Sequence, residues 1–296
     1  MSIFIDQSTR VCVQGITGKE GSFWTKHMIE LGTDVVCGVT PGKEGQLVEG
    51  RNVYNSVKKA VENHEIDASM LFVPPKFTMD AVMEALHAGI KKIVTIADGI
   101  PLHEMVAIRQ AAKEHNAIVV GGNTSGVISP KLAMMGSFPH WIDRVYKKGN
   151  IGVMTRSGSL TNEVTAMVVE AGYGVSTLIG VGGDPVPGTR FAEFLPMFEN
   201  DEETKAVVII GELGGTMEEE VAEYIEKGIF TKPLVAFLGG RTAPKGQKMG
   251  HAGAIVTGGK GSVEDKINAL TGVGALVAER PRLVGKLLEK LGVPKE

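Results

Sequence analysis

The 296 residues predict an α/β fold built on parallel sheets, and three observations carry that expectation. Short β-branched runs alternate with stretches of helical periodicity, the signature of βαβ units rather than of hairpins. The 39 glycines cluster in doublets at the ends of those runs, where a chain leaving a parallel strand must turn tightly. The alternation breaks off near residue 129 and restarts after residue 150, so two units are expected, 1–128 and 129–296. A chain of this length has ample material for two buried sheets.

In the first unit, strands are expected at 11–14, 34–39, 68–73, 92–96 and 117–120. Their near-continuous apolar runs suit strands covered on both faces. Helical patterns fall between them at 21–31, 53–63, 78–88 and 102–115. In the second, strands at 151–154, 176–180, 206–210 and 233–238 alternate with helices starting near Leu160, Phe191, Met217 and Ser262. The intervening stretch 129–150 interrupts the rhythm with Pro130, Pro139 and the aromatic segment 141–146. An amphipathic pattern at 280–291 reads as a closing helix.

Composition excludes several classes. A net charge of −3 gives no general field for nucleic acid. No apolar run approaches the roughly 20 residues a membrane span needs. The opening MSIFIDQSTR lacks the basic start and long apolar core of a signal peptide, so a cytoplasmic protein is expected. Cys12 and Cys37 both fall in apolar strand runs and read as packing thiols rather than a disulfide or metal pair. No metal site is expected, and the sequon Asn123-Thr124-Ser125 is coincidental without a secretory signal.

Four turns hold the candidate chemistry. Gly15-Ile16-Thr17-Gly18-Lys19-Glu20-Gly21 follows the first strand and opens the first helix, so glycines and free N–H groups can meet a phosphate. Its spacing is GxxGxxG rather than the dinucleotide GxGxxG. The second strand ends in Val39-Thr40-Pro41-Gly42-Lys43, with no acid for a ribose 2′-hydroxyl. Lys43 suits a phosphorylated ribose, so the adenosine 3′-phosphate pyrophosphate of coenzyme A fits better than NAD. A turn that merely packs helix on strand is the other reading. No GxxxxGK[ST] segment occurs. Ser157, Gly158 and Ser159 after Arg156 form either a phosphate cradle at a helix N-terminus or an ordinary N-cap. Glu212, between Gly211 and Leu213, is either an acid that orients an imidazole or an exposed turn residue. His251 stands among small residues in a glycine-rich, lysine-bearing loop. It reads as a phosphate-handling nucleophile or as an incidental surface histidine.

Taken in order, GITGKEG, GVTPGK, IADGIP, TRSGS-LTNE, GVGGDPVPG, IIGELGG and TAPKGQKMGHAGAI resemble the succinyl-CoA synthetase α-subunit family along nearly the whole chain. The resemblance implies a Rossmann-like CoA-binding domain followed by a flavodoxin-like ligase domain. His251 matches the family's phosphorylated histidine and Glu212 the acid that contacts it. Thr17, Gly18, Lys19, Glu20, Lys43 and the turn Ile96-Ala97-Asp98 match CoA-binding positions. CoA would be a substrate, and Mg-ATP would be bound by a separate large or β subunit of ATP-grasp fold in a hetero-oligomer.

Departures from the family pattern bear on the acid substrate. Succinate enzymes read GPNCPG or GGNCPG where this chain has Thr124-Ser125 after Asn123, and a tyrosine where it has Asn162. They have a short PGH loop where this chain runs longer, through residues 137–144. At the last two points the chain is similar to ATP-citrate lyase. A carboxamide in place of a phenol enlarges the pocket and adds donors. The small subunit of a citryl-CoA synthetase is therefore the expected role, with citrate bound by Asn123, Thr124, Ser125 and Asn162. A succinyl-CoA synthetase α subunit stands second and a malate–CoA ligase third. From other classes, a non-catalytic CoA-binding protein and an NAD-dependent dehydrogenase remain. The Glu212–His251 pair counts against the first, and the missing ribose acid against the second.

Overall fold

A computed structural model describes residues 2–241, 253–254 and 261–295. Two compact units emerge, one of Phe4–Phe138 with Val186–Thr189, the other of Met1–Ile3, Pro139–Pro185 and Arg190–Glu296. The expected division between residues 128 and 129 runs through a strand, Gly126–Ser129.

The first unit runs β1 (Arg10–Gln14), α1 (Lys19–Leu31), β2 (Asp34–Val39), β3 (Leu47–Val48), β4 (Arg51–Tyr54), α2 (Val57–Asn63), β5 (Ala68–Leu71), α3 (Thr78–His87), β6 (Lys92–Thr95), α4 (Leu102–Glu114) and β7 (Ile118–Val120). A hairpin of β8 (Gly126–Ser129) and β9 (Ala133–Gly136) follows. The sheet order is β3-β4-β2-β1-β5-β6-β7, parallel except for the two-residue β3. The chain winds outward from β1 in one direction and from β5 in the other. Their carboxyl ends therefore form the switch point where such sheets leave a crevice. Helices cover a core in which Val11, Val13, Val35, Met70, Ile93 and Val119 are fully buried. Cys12 and Cys37 pair in register across β1 and β2 as free buried thiols. The Cys12 thiol is held well above its usual range by the neighbouring Cys37 thiol and by burial.

The second unit runs β10 (Lys148–Thr155), α5 (Gly158–Glu170), β11 (Val175–Gly180), α6 (Phe191–Asn200), β12 (Ala206–Glu212), α7 (Met217–Glu226), β13 (Leu234–Gly239), α8 (Val263–Gly272), β14 (Leu276–Ala278) and α9 (Val284–Lys290). Its parallel strands lie in the order β14-β13-β12-β10-β11. This is the flavodoxin-like winding, with its switch point between β10 and β12.

Two expectations are corrected. The helix expected at 53–63 begins only at Val57, where the Ser56 side chain accepts from the Lys59 N–H, and residues 51–54 form β4 instead. The Asn55-Ser56 break separates a strand from a helix, and helical periodicity had read across it. The interrupted stretch after residue 129 opens with the turn of a hairpin: Leu132 N–H donates to Ser129 C=O across Pro130 and Lys131, the latter at φ 64°. Proline there sets a turn between paired strands.

At the amino edge of the first sheet, Arg10 grips Asp67 side-on, with Nε–Oδ2 2.8 Å and Nη2–Oδ1 2.9 Å, and also pairs with Glu65. The guanidinium holds the Asp67 carboxyl down at about 2. A carboxyl depressed on folding adds stability that is complete above its unfolded value near 3.8 and disappears as pH falls through about 2. Both side chains are partly exposed, so solvent screening keeps the gain small. Urea unfolding of wild type and Asp67→Asn should therefore differ at pH 7 and converge toward pH 2. A gap of equal size at both pH values would mean that the ion pair is not its source.

Candidate active site

The carboxyl ends of both sheets carry the candidate residues. In the first unit, the turn after β1 is drawn tight by Gly15, at φ +77°, whose N–H donates to Val39 C=O and whose C=O accepts from Gly18 N–H. A Cβ at Gly21 would stand 2.2 Å from Gly15 O, so α1 starts directly against the turn. Gly18 is the N-cap of α1 in an extended conformation, and among the described residues no side chain caps the helix. Its first N–H groups are thus free for an anion. Thr17 Oγ1 donates to Thr40 Oγ1 (3.2 Å), tying this turn to the end of β2. Lys19 and Lys43 are exposed, while Glu20 accepts from Trp24 Nε1.

Farther along the same sheet edge, the turn Ile96-Ala97-Asp98 follows β6. Ala97 C=O accepts from Asn123 N–H at 2.8 Å. The fold thereby brings together a turn expected for CoA and a turn expected for the acid substrate. Thr124 Oγ1 accepts from Gly126 N–H and Ser125 C=O from Ser137 N–H, so part of this segment's polarity is used in holding the turn.

In the second unit, Ser157 is the buried N-cap of α5, its hydroxyl accepting from Leu160 N–H. Gly158 and Ser159 are exposed at the first turn. Glu212 ends β12, beside β10, and is 7% exposed, so it is not an exposed turn acid. Its N–H donates to Glu218 Oε1 (3.1 Å), and its carboxylate lies 3.5 Å from Arg156 Nη2. Arg156 also lies 3.6 Å from Glu218, which is fully buried and paired with the equally buried Lys266. Burying two carboxylates is tolerable because two cations are buried with them.

Sequence reading missed Arg156, Glu218 and Lys266 as site residues. The position of Arg156 inside the TRSGS segment was a usable signal. Glu218 sits in a run of three acids at a helix start, which ordinarily marks a solvated face, and Lys266 gave none. Asn162 lies on the exposed side of α5, where its Oδ1 accepts from Tyr146 hydroxyl at 2.7 Å; burial pushes that phenol up. A cavity of about 450 Å³ there is lined by Ile142, Arg144, Val145, Tyr146, Asn162 and Met167, among others. His251 lies outside the described residues. Two positions beyond it in sequence, Gly253 N–H donates to Gly183 C=O, and a Cβ at Gly253 would stand 3.0 Å from Arg156 Nη2.

Comparison with known proteins gives a coherent set. The sequence matches the CoA binding domain family over residues 6–99 and the CoA-ligase family over residues 154–276. It is 82% identical over 296 residues to the ADP-forming sulfoacetate-CoA ligase subunit SqwL of an Acholeplasma species, covering 100% of both chains. It is 69% identical over 291 residues to the corresponding subunit SauD of Bilophila wadsworthia, covering 98% of this chain and 99% of that one. A succinate–CoA ligase [ADP-forming] α subunit of Archaeoglobus fulgidus is 49% identical over 279 residues, 94% of each chain. Among solved structures, the ATP citrate lyase of Methanosaeta concilii superposes with a TM-score of 0.88 at 23% identity over 98% of this chain. The chain spans about half the length of that structure, 52% of it, and the likeness shows the fold alone. Among the described residues, no helix is long and apolar enough to cross a membrane.

The turn after β1 tolerates no side chain at its third glycine. Gly21→Ala is expected to destabilise the protein by about 2 kcal/mol, because the obstacle is backbone rather than a movable side chain. Gly18→Ala should cost less, since its nearest obstacle is 3.3 Å away. Chemical denaturation of both variants tests the order, and equal losses would show that the close approach at Gly21 does not govern the turn.

Proposed function

Because this chain belongs to the succinyl-CoA synthetase α-subunit family of ADP-forming acid–CoA ligases, we propose that it activates sulfoacetate by phosphoryl transfer through His251. The observation that carries the reading is the buried Arg156–Glu212 pair beside the Ser157 cap of α5, at the switch point of the second sheet. An acid and a cation held out of water beside a helix N-terminus suit a phosphorylated imidazole. Gly253, two residues beyond His251, returns to this same cluster and adds support.

In the proposed sequence, a neutral imidazole nitrogen of His251 attacks the γ-phosphorus of ATP. The P–N bond forms as the P–O bond to ADP breaks, and Glu212 faces the ring N–H that remains. A carboxylate oxygen of the acid then takes the phosphoryl group, breaking the P–N bond and giving an acyl phosphate. The sulfur of CoA attacks its carbonyl carbon, phosphate leaves, and the thiol proton passes to phosphate or water. The nucleotide would be bound as Mg-ATP by a β-type partner subunit, as the relatives' naming as subunits supports. CoA would lie at Thr17, Gly18, Lys19 and Glu20, with Lys43 on a phosphate and Ile96, Ala97 and Asp98 nearby. Ser157, Gly158 and Ser159 would cradle the phosphoryl group.

Sulfoacetate stands first because the relatives at 82% and 69% identity carry it in their names. A sulfonate is a permanent anion with three acceptor oxygens, so it calls for donors. Thr124 and Ser125 in place of Cys-Pro would add hydroxyl donors, and the Asn162 carboxamide would add N–H donors of its own. Citrate is the second reading, on these same residues, and succinate the third. With the partner subunit, kcat/KM for sulfoacetate should exceed that for citrate and for succinate by about tenfold or more. Preference for either of the others would replace the substrate while leaving the phosphohistidine chemistry untouched.

His251→Asn should abolish labelling of this chain by γ-labelled ATP while CoA still binds; retained label would sink the carrier role. Lys43→Glu reverses a charge beside the proposed CoA phosphate and should raise the CoA KM severalfold. An unchanged KM would count against that placement.

A further inference from the structure

Arg156 has more donor capacity than its neighbours use. Its side chain is 2% exposed. Nη1 donates to Gly214 C=O at 2.8 Å and more loosely to Glu212 C=O at 3.4 Å. Nη2 stands 3.5 Å from Glu212 Oε1, and buried Nε has no acceptor among the described residues. The Nε–Nη2 edge is the side-on fork that grips two oxygens of one anion. Glycines border the guanidinium: a Cβ at Gly253 would stand 3.0 Å from Nη2, and one at Gly215 would stand 4.0 Å from both terminal nitrogens. Lys266 pairs with Glu218, and its Nζ also donates to Gly215 C=O and to Glu219 Oε2, each at 3.2 Å. With Glu218 neutralised from the Lys266 side, the Arg156 charge is left facing Glu212.

We propose that Arg156 binds the transferring phosphoryl group, its Nε–H and Nη2–H donating to two phosphoryl oxygens. The inference rests on the phosphohistidine reading above and deepens it. Arg156 gives up no proton and forms no covalent bond. Its effect is to stabilise the dianionic phosphoryl group on the imidazole relative to the same group on ADP. A buried unpaired N–H is costly unless a ligand pairs with it, and a charge-assisted pair returns more than a neutral one.

The equilibrium between ATP plus free chain and ADP plus phosphorylated chain isolates this effect, since a purely structural arginine would change the active fraction and not the constant. It is measured in the complex with the partner subunit at fixed ATP/ADP ratios, normalised to active sites. Arg156→Lys keeps a cation between Glu212 and Glu218 but loses the fork, and should lower the constant about tenfold. Arg156→Gln should lower it further. A constant within twofold of wild type in Arg156→Lys overturns the proposal. Should the variants fail to fold, wild-type complex with arginine labelled at Nε decides: one Nε–H resonance should move downfield on phosphorylation, and an unmoved spectrum overturns the proposal. His251→Asn separates the two levels. If it still takes label, the carrier reading fails and takes this inference with it. If it is blank while Arg156→Lys matches wild type, the Arg156 inference alone fails.

Discussion

The second unit is organised around one constraint, that Glu212 and Glu218 are buried together and must be neutralised where they stand. Arg156 reaches them from the end of β10, and Lys266 reaches Glu218 from α8. Removing one partner from such a cluster typically costs about 3–5 kcal/mol, because a charge is left unpaired in a dry environment. β10 and β12 are neighbours whose following helices leave on opposite sides, so both strand ends open into the same crevice.

The same topological logic appears in the first unit with a different solution. There the crevice between β1 and β5 is served by backbone rather than by buried charge. Gly15 and Gly21 bring α1 against the turn, and Gly18 leaves its N–H groups uncapped. One unit thus offers dipoles and exposed lysines suited to a large polyanionic ligand. The other holds fixed full charges in a confined volume, suited to a small group that arrives and leaves.

Much of this was legible in the sequence, for identifiable reasons. Strands β1, β2, β5, β6, β10, β12 and β13 were readable because parallel strands buried on both faces are short apolar runs bounded by turns. Glu212 was readable as an acid directly after such a run, and Ser157 as a cap directly before a helix. β4 was not, because Arg51–Tyr54 is a half-exposed strand whose pattern merges with the helix after Ser56. β8 and β9 were hidden by Pro130, which interrupts the chain locally and only in three dimensions becomes a hairpin turn. Glu218 and Lys266 were invisible because their meaning is pairwise. Each looks like a solvated helix residue until the other is placed 48 positions away against it.

The adjacency of Cys12 and Cys37 gives the first sheet a built-in chemical record. Both thiols lie at the centre of the sheet with no solvent exposure, and the Cys12 thiol is held in its protonated, unreactive form. A reagent in solution meets them only when β1 and β2 part, so their rate of alkylation reports the opening free energy of that region. The two thiols thus report on the opening of the first sheet alone, since neither lies in the second.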